Sequence, residues 1–401
     1  MIPLMHGIQV SRTPVLPDPE RLALYRRAPE LGPRPLFFSG GTALRKFSQK
    51  LIEYTHNSIH ILTPFDSGGS SAVIRKAFGM LAVGDIRNRI MALADRGLRG
   101  NSEIFNLFAH RLPKDAEPEE LRRMLDRMAV GKNDMLQGVP NPMRRIIRGY
   151  LWFFHQNCPY DFDLRGACLG NLILTGGFLF HDRHIDPVVY LFTKLVEARG
   201  DVCAVSNKHL QLIAELEDGT VLPGQHLITG KETAPIASPV ARVYLSESAE
   251  YPAPVEVSIR DKIRNRIMDA QLICYPIGSF YSSVIANLLP KGVGDAIAAV
   301  ARPKIYIPNL GKDPEQLGIT VTGCVRTLQH YLQLSCERPA KSADLLNLVL
   351  VDSRNGDYQG GIEHHKLRSL GVDVIDVELI TEKSHPYLDE ERLIENLLSL
   401  A

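Results

Sequence analysis

Three glycine-rich stretches and one helix start hold the side chains best suited to chemistry in this chain. The first runs Ser39, Gly40, Gly41, Thr42, where paired glycines let the backbone approach a phosphate closely and Thr42 adds a hydroxyl. The second places Asp66 beside Gly68, Gly69, Ser67, Ser70 and Ser71, with Arg75 and Lys76 a turn later; such a loop suits phosphate, with or without Mg²⁺. Asp85 follows Gly84 and precedes Arg87 and Asn88, and could aim a second carboxylate at the same ligand. Gly278, Ser279, Ser282 and Ser283 form the third stretch, while Asn171, Asn309 and Asp352 are expected near the ends of further strands. Each has a plainer reading: Gly40 could serve a tight turn through a positive φ, and Asp85 could be a simple helix N-cap.

Other chemistries find little purchase. There is no G-x-S-x-G elbow, no complete P-loop lysine motif and no HExxH helix, and Lys46 lies too far along to be a Walker lysine. His181 and His184, and the pair His364 and His365, lack partners at zinc-site spacing. Forty-six Lys and Arg against 45 Asp and Glu leave a formal charge of +1 without long single-sign runs, which argues against a nucleic-acid or membrane-surface role. Six cysteines without a CxxC pair read as reduced thiols in a cytoplasmic protein, and no apolar run approaches the ~20 residues of a spanning helix.

The elements that must position these loops read as βα units. Leu36 to Ser39 and Ile59 to Thr63 are short buried strands, each followed by glycines and a helical pattern. Strand signals vanish between about Gly97 and Arg165, which reads as a helical insertion. LGNLILTGG, taken with a strand ending near Asn171, and the helical DPVVYLFTKLVEARG come next. Short alternating runs from Cys203 to Gly230, around an Asp-Gly turn, then read as a small β-rich segment. LICY, KIYIPN and LNLVLVDS return to buried-strand character. The fold class expected is a Rossmann-like, doubly wound α/β domain over residues 35–401, preceded by a proline-rich arm at 1–34. Loops leaving the strand C-termini would converge on one crevice, where helix N-termini favour anions.

At these same residues the sequence resembles the CofD superfamily, which joins 2-phospho-L-lactate transferase to the gluconeogenesis-factor proteins implicated in cell-envelope and carbon regulation. That second branch reads GGGTG, VADDGGSSG, GML before GDIRN, and ALAD; here stand SGGTA, TPFDSGGSSA, GMLAVGDIRN and ALAD in the same order. LGNLILT, AELEDGT and the stretch from Ile277 to Leu289 extend the likeness over roughly residues 35–401. The resemblance implies a nucleotide-diphosphate-linked small molecule as ligand, with Mg²⁺ held by Asp66 and Asp85, and either Mg²⁺-dependent transfer to a flavin-like acceptor or sensing of a nucleotide sugar without turnover. It also implies a homodimer, and one branch is associated with ATP-grasp and kinase-like protein partners. The chain departs from the pattern at Ser67, which stands where the family has the second Asp of its pair, at Ser39 and Ala43 around the first loop, at Ala167-Cys168, and at Pro276-Ile277.

Overall fold

A computed structural model describes residues 13–95, 97, 101–230, 233–311 and 313–401. Its core is a seven-stranded parallel sheet built from β1 (Pro35–Ser39), β2 (Ile59–Leu62), β3 (Asp201–Ala204), β7 (Leu272–Tyr275), β8 (Lys304–Tyr306), β9 (Leu348–Val351) and β10 (Asp373–Asp376). The order is β10-β9-β8-β7-β1-β2-β3. Strands β4 (Gln211–Leu216), β5 (Val221–Pro223) and β6 (Val240–Ser246) form a separate antiparallel sheet in the order β5-β4-β6.

Strands buried on both faces read as continuous apolar runs, and β1, β2 and β7 are buried at every residue. From β1 the chain winds outward through β2 to β3, and from β7 it winds the other way to β10. The direction therefore reverses between β1 and β7, and the loops after these strands, carrying Gly40 and Gly278, flank the place where such sheets bind ligands.

Three expectations change. The apolar run LGNLILTGGFLF is a buried helix, Leu169–Phe180, and not a strand. A largely apolar run without charges does not declare its period, and twelve residues is long for a strand. Its glycines serve close packing, since a Cβ on Gly176 would lie 1.9 Å from the carbonyl oxygen of Tyr150 on helix Met143–Asn157. Second, Asp201–Ala204 belongs to the parallel sheet as its edge, so only β4 to β6 form the small β-rich segment. Third, β10 is an added edge strand whose two apolar residues are flanked by Asp373 and Asp376 and whose residues are exposed or half-exposed, so it lacks the signal of a buried run.

Among the described residues eight helices fill the span between β2 and β3, including Ser102–Ala109, Pro118–Ala129 and Met143–Asn157. Within the Leu151 to Phe154 cluster, Leu151 and Phe154 are core residues while Trp152 is exposed. Before β1, helix Pro19–Arg27 lies on the C-terminal helix Glu390–Ser399. Arg21 donates to the carbonyls of Ser399 and Ala401 at 3.2 and 2.8 Å, and Arg26 pairs with Glu391. All six cysteines are free, and no helix among the described residues is long and apolar enough to cross a membrane.

Candidate functional site

At the C-terminal ends of β1, β2 and β7 a cavity of about 460 Å³ is lined by Gly40, Gly41, Thr42, Asp66, Gly68, Asp85, Asn88, Gly278, Ser279 and Ser283. Gln225, His226 and Thr229, from the short helix Gln225–Thr229 after β5, complete the wall. Both loop carboxylates and all three glycine stretches therefore meet in one place. A second hollow of about 1000 Å³ shares Thr42, Ala43 and Gly278 with it and extends past Lys46, Phe47, Leu310 and Leu388. Another of about 610 Å³ begins at Ile59 and Asp201, the first residues of β2 and β3. It therefore opens at the opposite end of the sheet from the strand ends that bind ligands in such folds.

The first loop needs its glycines for room. Gly40 and Gly41 are not among the glycines with positive φ, so the turn reading of Gly40 is replaced by a close approach. A Cβ on Gly40 would lie 2.5 Å from Ser283 Oγ, and one on Gly41 would lie 2.0 Å from Asp85 Oδ1. Asp85 is thus pressed against the Gly40–Gly41 backbone. It sits in the first turn of helix Gly84–Ala92, whose N-cap is Val83, and so the N-cap reading of Asp85 is also replaced. Asp66 is fixed by the Gly68 N–H, which donates to Oδ1 at 3.1 Å. A Cβ on Gly84 would sit 3.8 Å from Asp66 Oδ2 and 2.7 Å from Ser71 Oγ, so this glycine lets the second loop and the helix start lie against each other.

Two buried arginines hold the loops from beneath. Arg89, fully buried, donates to the carbonyls of Leu44 and Gly40 at 2.9 and 2.8 Å, to Ser48 Oγ, and to Ser39 Oγ at 3.4 Å. Arg75 donates to the carbonyls of Phe65 and Asp66 at 2.9 and 3.0 Å and reaches Leu210 and Gln211 in β4 and the turn before it. Burial pushes both guanidinium groups down to about 10, with Asp85 and Asp66 respectively opposing the shift. Both remain charged at neutral pH. Arg75, which the sequence placed beside the ligand, is instead turned onto protein carbonyls.

Several expected site residues lie outside the cavity wall. Ser70 Oγ accepts a hydrogen bond from Asn171 Nδ2 at 3.4 Å, and Asn171 is on the buried helix Leu169–Phe180 rather than at a strand end. Ser71 is buried against Gly84, and Gly69 opens helix Gly69–Phe78 with φ 45°. Arg87 is buried and donates to Asn88 Oδ1 at 2.5 Å. Ser282 donates to Glu315, a fully buried carboxylate that also accepts the N–H groups of Tyr281 and Ser282 at 2.8 Å each; burial, reinforced by Asp313, pushes Glu315 up to about 7. Asn309 exchanges hydrogen bonds with the backbone of Gly278 at 2.8 and 2.7 Å, which shapes the third loop and faces the larger hollow. Asp352 is buried as an acceptor for Asn355, Leu379 and Ile380.

Sequence reasoning missed Gln225, His226, Thr229, Arg89 and Glu315. The first three sit on a five-residue helix delivered by the small sheet, where Gly224 and Gly230 read as the ends of a turn in the small β-rich segment and no serine cluster stands beside them. A buried arginine directly after Arg87-Asn88 looked like one more charge on a helix face.

The model of the family described as "2-phospho-L-lactate transferase CofD" matches residues 36–380. The chain is 29% identical to the gluconeogenesis factor of Listeria monocytogenes over 283 residues, covering 70% of this chain and 68% of that protein. It is 25% identical to the gluconeogenesis factor of Bacillus subtilis over 386 residues, covering 91% and 97%. Among solved structures, a Bacillus halodurans protein described as a member of the UPF0052 family superimposes with a TM-score of 0.66 at 22% identity, over 92% of this chain and 99% of that one.

Proposed function

Because the chain belongs to the CofD family, we propose that its 460 Å³ cavity holds a nucleotide-diphosphate-linked small molecule and that, with Mg²⁺ on Asp66 and Asp85, it passes the ligand's phospho group to an acceptor hydroxyl. The observation that carries this reading is the meeting of two carboxylates with three glycine-containing loops at the reversal point of the sheet. Among the described residues no group of three His, Cys, Asp or Glu side chains is placed to hold a metal. Two carboxylates nonetheless fit Mg²⁺, which characteristically takes one or two of them and completes its shell with waters and substrate phosphates. That ion would neutralise charge on the phosphates as it builds up.

The protein's own residues position and do not attack. The Gly41 and Thr42 backbone, with the Thr42, Ser279 and Ser283 hydroxyls, lines the face that a diphosphate would use. In the transfer the acceptor oxygen forms a P–O bond, the bridging P–O bond breaks, and the acceptor's proton ends on the departing nucleoside monophosphate. No covalent nucleophile is required, so catalysis is orientation and charge stabilisation. The larger hollow across the Thr42–Ala43 ridge supplies room for an acceptor.

A second reading, a nucleotide-sugar-binding regulator without turnover, is favoured by the near full-length match to a protein named gluconeogenesis factor. Thermal stability against guanosine-diphosphate-linked acids and nucleotide sugars, with and without Mg²⁺, separates the two. A native-state ligand at 100 times its Kd adds about 2.7 kcal/mol. A Mg²⁺-dependent shift with a diphosphate-linked acid, followed by release of nucleoside monophosphate when an acceptor is added, supports transfer. A metal-independent shift with a nucleotide sugar supports the regulator.

A further inference from the structure

His226 reaches the cavity from the small antiparallel sheet, and it is tied to the second loop at the one position where this chain replaces the family's second aspartate. Its Nδ1 lies 2.8 Å from Ser67 Oγ, and that same oxygen accepts the His226 backbone N–H at 3.3 Å. Gly224 makes the contact feasible. Its φ is 136°, and a Cβ there would lie 3.0 Å from Ser67 Oγ and 3.1 Å from the imidazole. A hydroxyl that already accepts one hydrogen bond still has its own hydrogen to place, and among the described residues Nδ1 is the only acceptor it meets. When Ser67 places that hydrogen on Nδ1, a neutral imidazole carries its own proton on Nε2. Nε2 bonds to no described residue and is not among the buried unpaired atoms, while His226 lines the cavity with Asp66 and Asp85.

We propose that His226 is a ligand-contacting residue whose Nε2–H donates to a phosphate oxygen, and that Ser67 is the positioning residue that selects this tautomer. The proposal rests on the diphosphate reading of the cavity. It gives the Ser67 replacement a chemical meaning: an aspartate at 67 would accept from Nδ1–H and, on a neutral ring, leave Nε2 as an acceptor, which repels a phosphate oxygen.

The test joins two measurements on the full chain. Nitrogen-15 spectra of the histidine rings, recorded without metal above the ordinary histidine range and assigned through His226→Gln, report which ring nitrogen carries the proton. Wild type is expected to show protonated Nε2, and Ser67→Asp to show protonated Nδ1. Binding of GDP with Mg²⁺ is expected to fall about 10-fold or more in His226→Ala and in Ser67→Asp, and to be largely kept in His226→Gln, whose amide restores a donor; hydrogen bonds to charged groups have this size. A proton on Nδ1 in the wild type overturns the proposal, as does unchanged GDP affinity in His226→Ala. A wild type that binds neither GDP nor pyrophosphate removes the diphosphate reading itself, and the role of Nε2 with it.

Discussion

Gly41 and Asp85 show how tightly the site is specified at single atoms. Gly41→Ala puts a methyl 2.0 Å from the Asp85 carboxylate and 3.0 Å from its Cα, so the first loop or the helix start must move. Loss of ligand binding at normal expression is the expected outcome, read by calorimetry. Asp66→Asn should weaken Mg²⁺-dependent binding while leaving the melting temperature near wild type, because a carboxylate at a cavity wall contributes little packing; unchanged binding in Mg²⁺ would remove Asp66 from the site. Glu315 gives a pH signature of the fold. Its folded value of about 7 lies above the ordinary 4.5, so between these pH values the unfolded chain has released a proton that the folded chain keeps. Stability is therefore expected to fall as pH rises from about 4.5 to about 7, with no further change from this group above that. In Glu315→Gln that part of the slope should vanish in denaturant titrations at several pH values.

Among the elements, the crossing of helices Met143–Asn157 and Leu169–Phe180 has the least tolerance. Gly176 meets the Tyr150 carbonyl oxygen and the Phe154 nitrogen, at 1.9 and 3.0 Å from an added Cβ, and Gly177 meets Val188 Cγ1 at 2.7 Å. Gly176→Ala gains helix propensity and loses the crossing, and backbone atoms cannot yield as a side chain would. A net destabilisation of about 1–3 kcal/mol is expected from such overpacking, measurable as a lower denaturant midpoint with little change in slope. The run's helical period was hidden because it is buried all round from Leu169 to Phe178 and has no charged face, whereas Gly84–Ala92 and Val321–Leu334 showed theirs through polar faces. The same logic explains β10. A strand at the sheet edge keeps charged side chains in solvent and so lacks the continuous apolar signal of β1 or β7.

Across the whole molecule, the helix before β1 closes on the last helix. Helix Pro19–Arg27 buries Leu22 and joins Glu390–Ser399 through Arg21, Arg26 and the Asp18 N–H on Ser399 Oγ at 2.8 Å. Removing residues 13–28 along with whatever precedes them should lower the melting temperature and leave nucleotide binding intact, since none of residues 13–28 lines the site cavity. The polar contacts there are partly exposed and individually weak, so the buried Leu22 is expected to account for much of the loss.

Much was determined by the sequence alone: the α/β class, the strands that carry the first, second and third loops, and the family, through motifs whose order survives at low identity. These are local quantities. A buried strand writes itself as an apolar run, and a loop that must admit a phosphate writes itself in glycine and hydroxyl residues. Tertiary structure alone decided which of the polar residues share a cavity. It turned Arg75 onto carbonyls, buried Ser282 against Glu315, placed Asn171 on an internal helix, and brought His226 from a different sheet to Ser67. Such contacts join residues up to 159 positions apart, and no spacing rule in a single chain encodes the packing that brings them together.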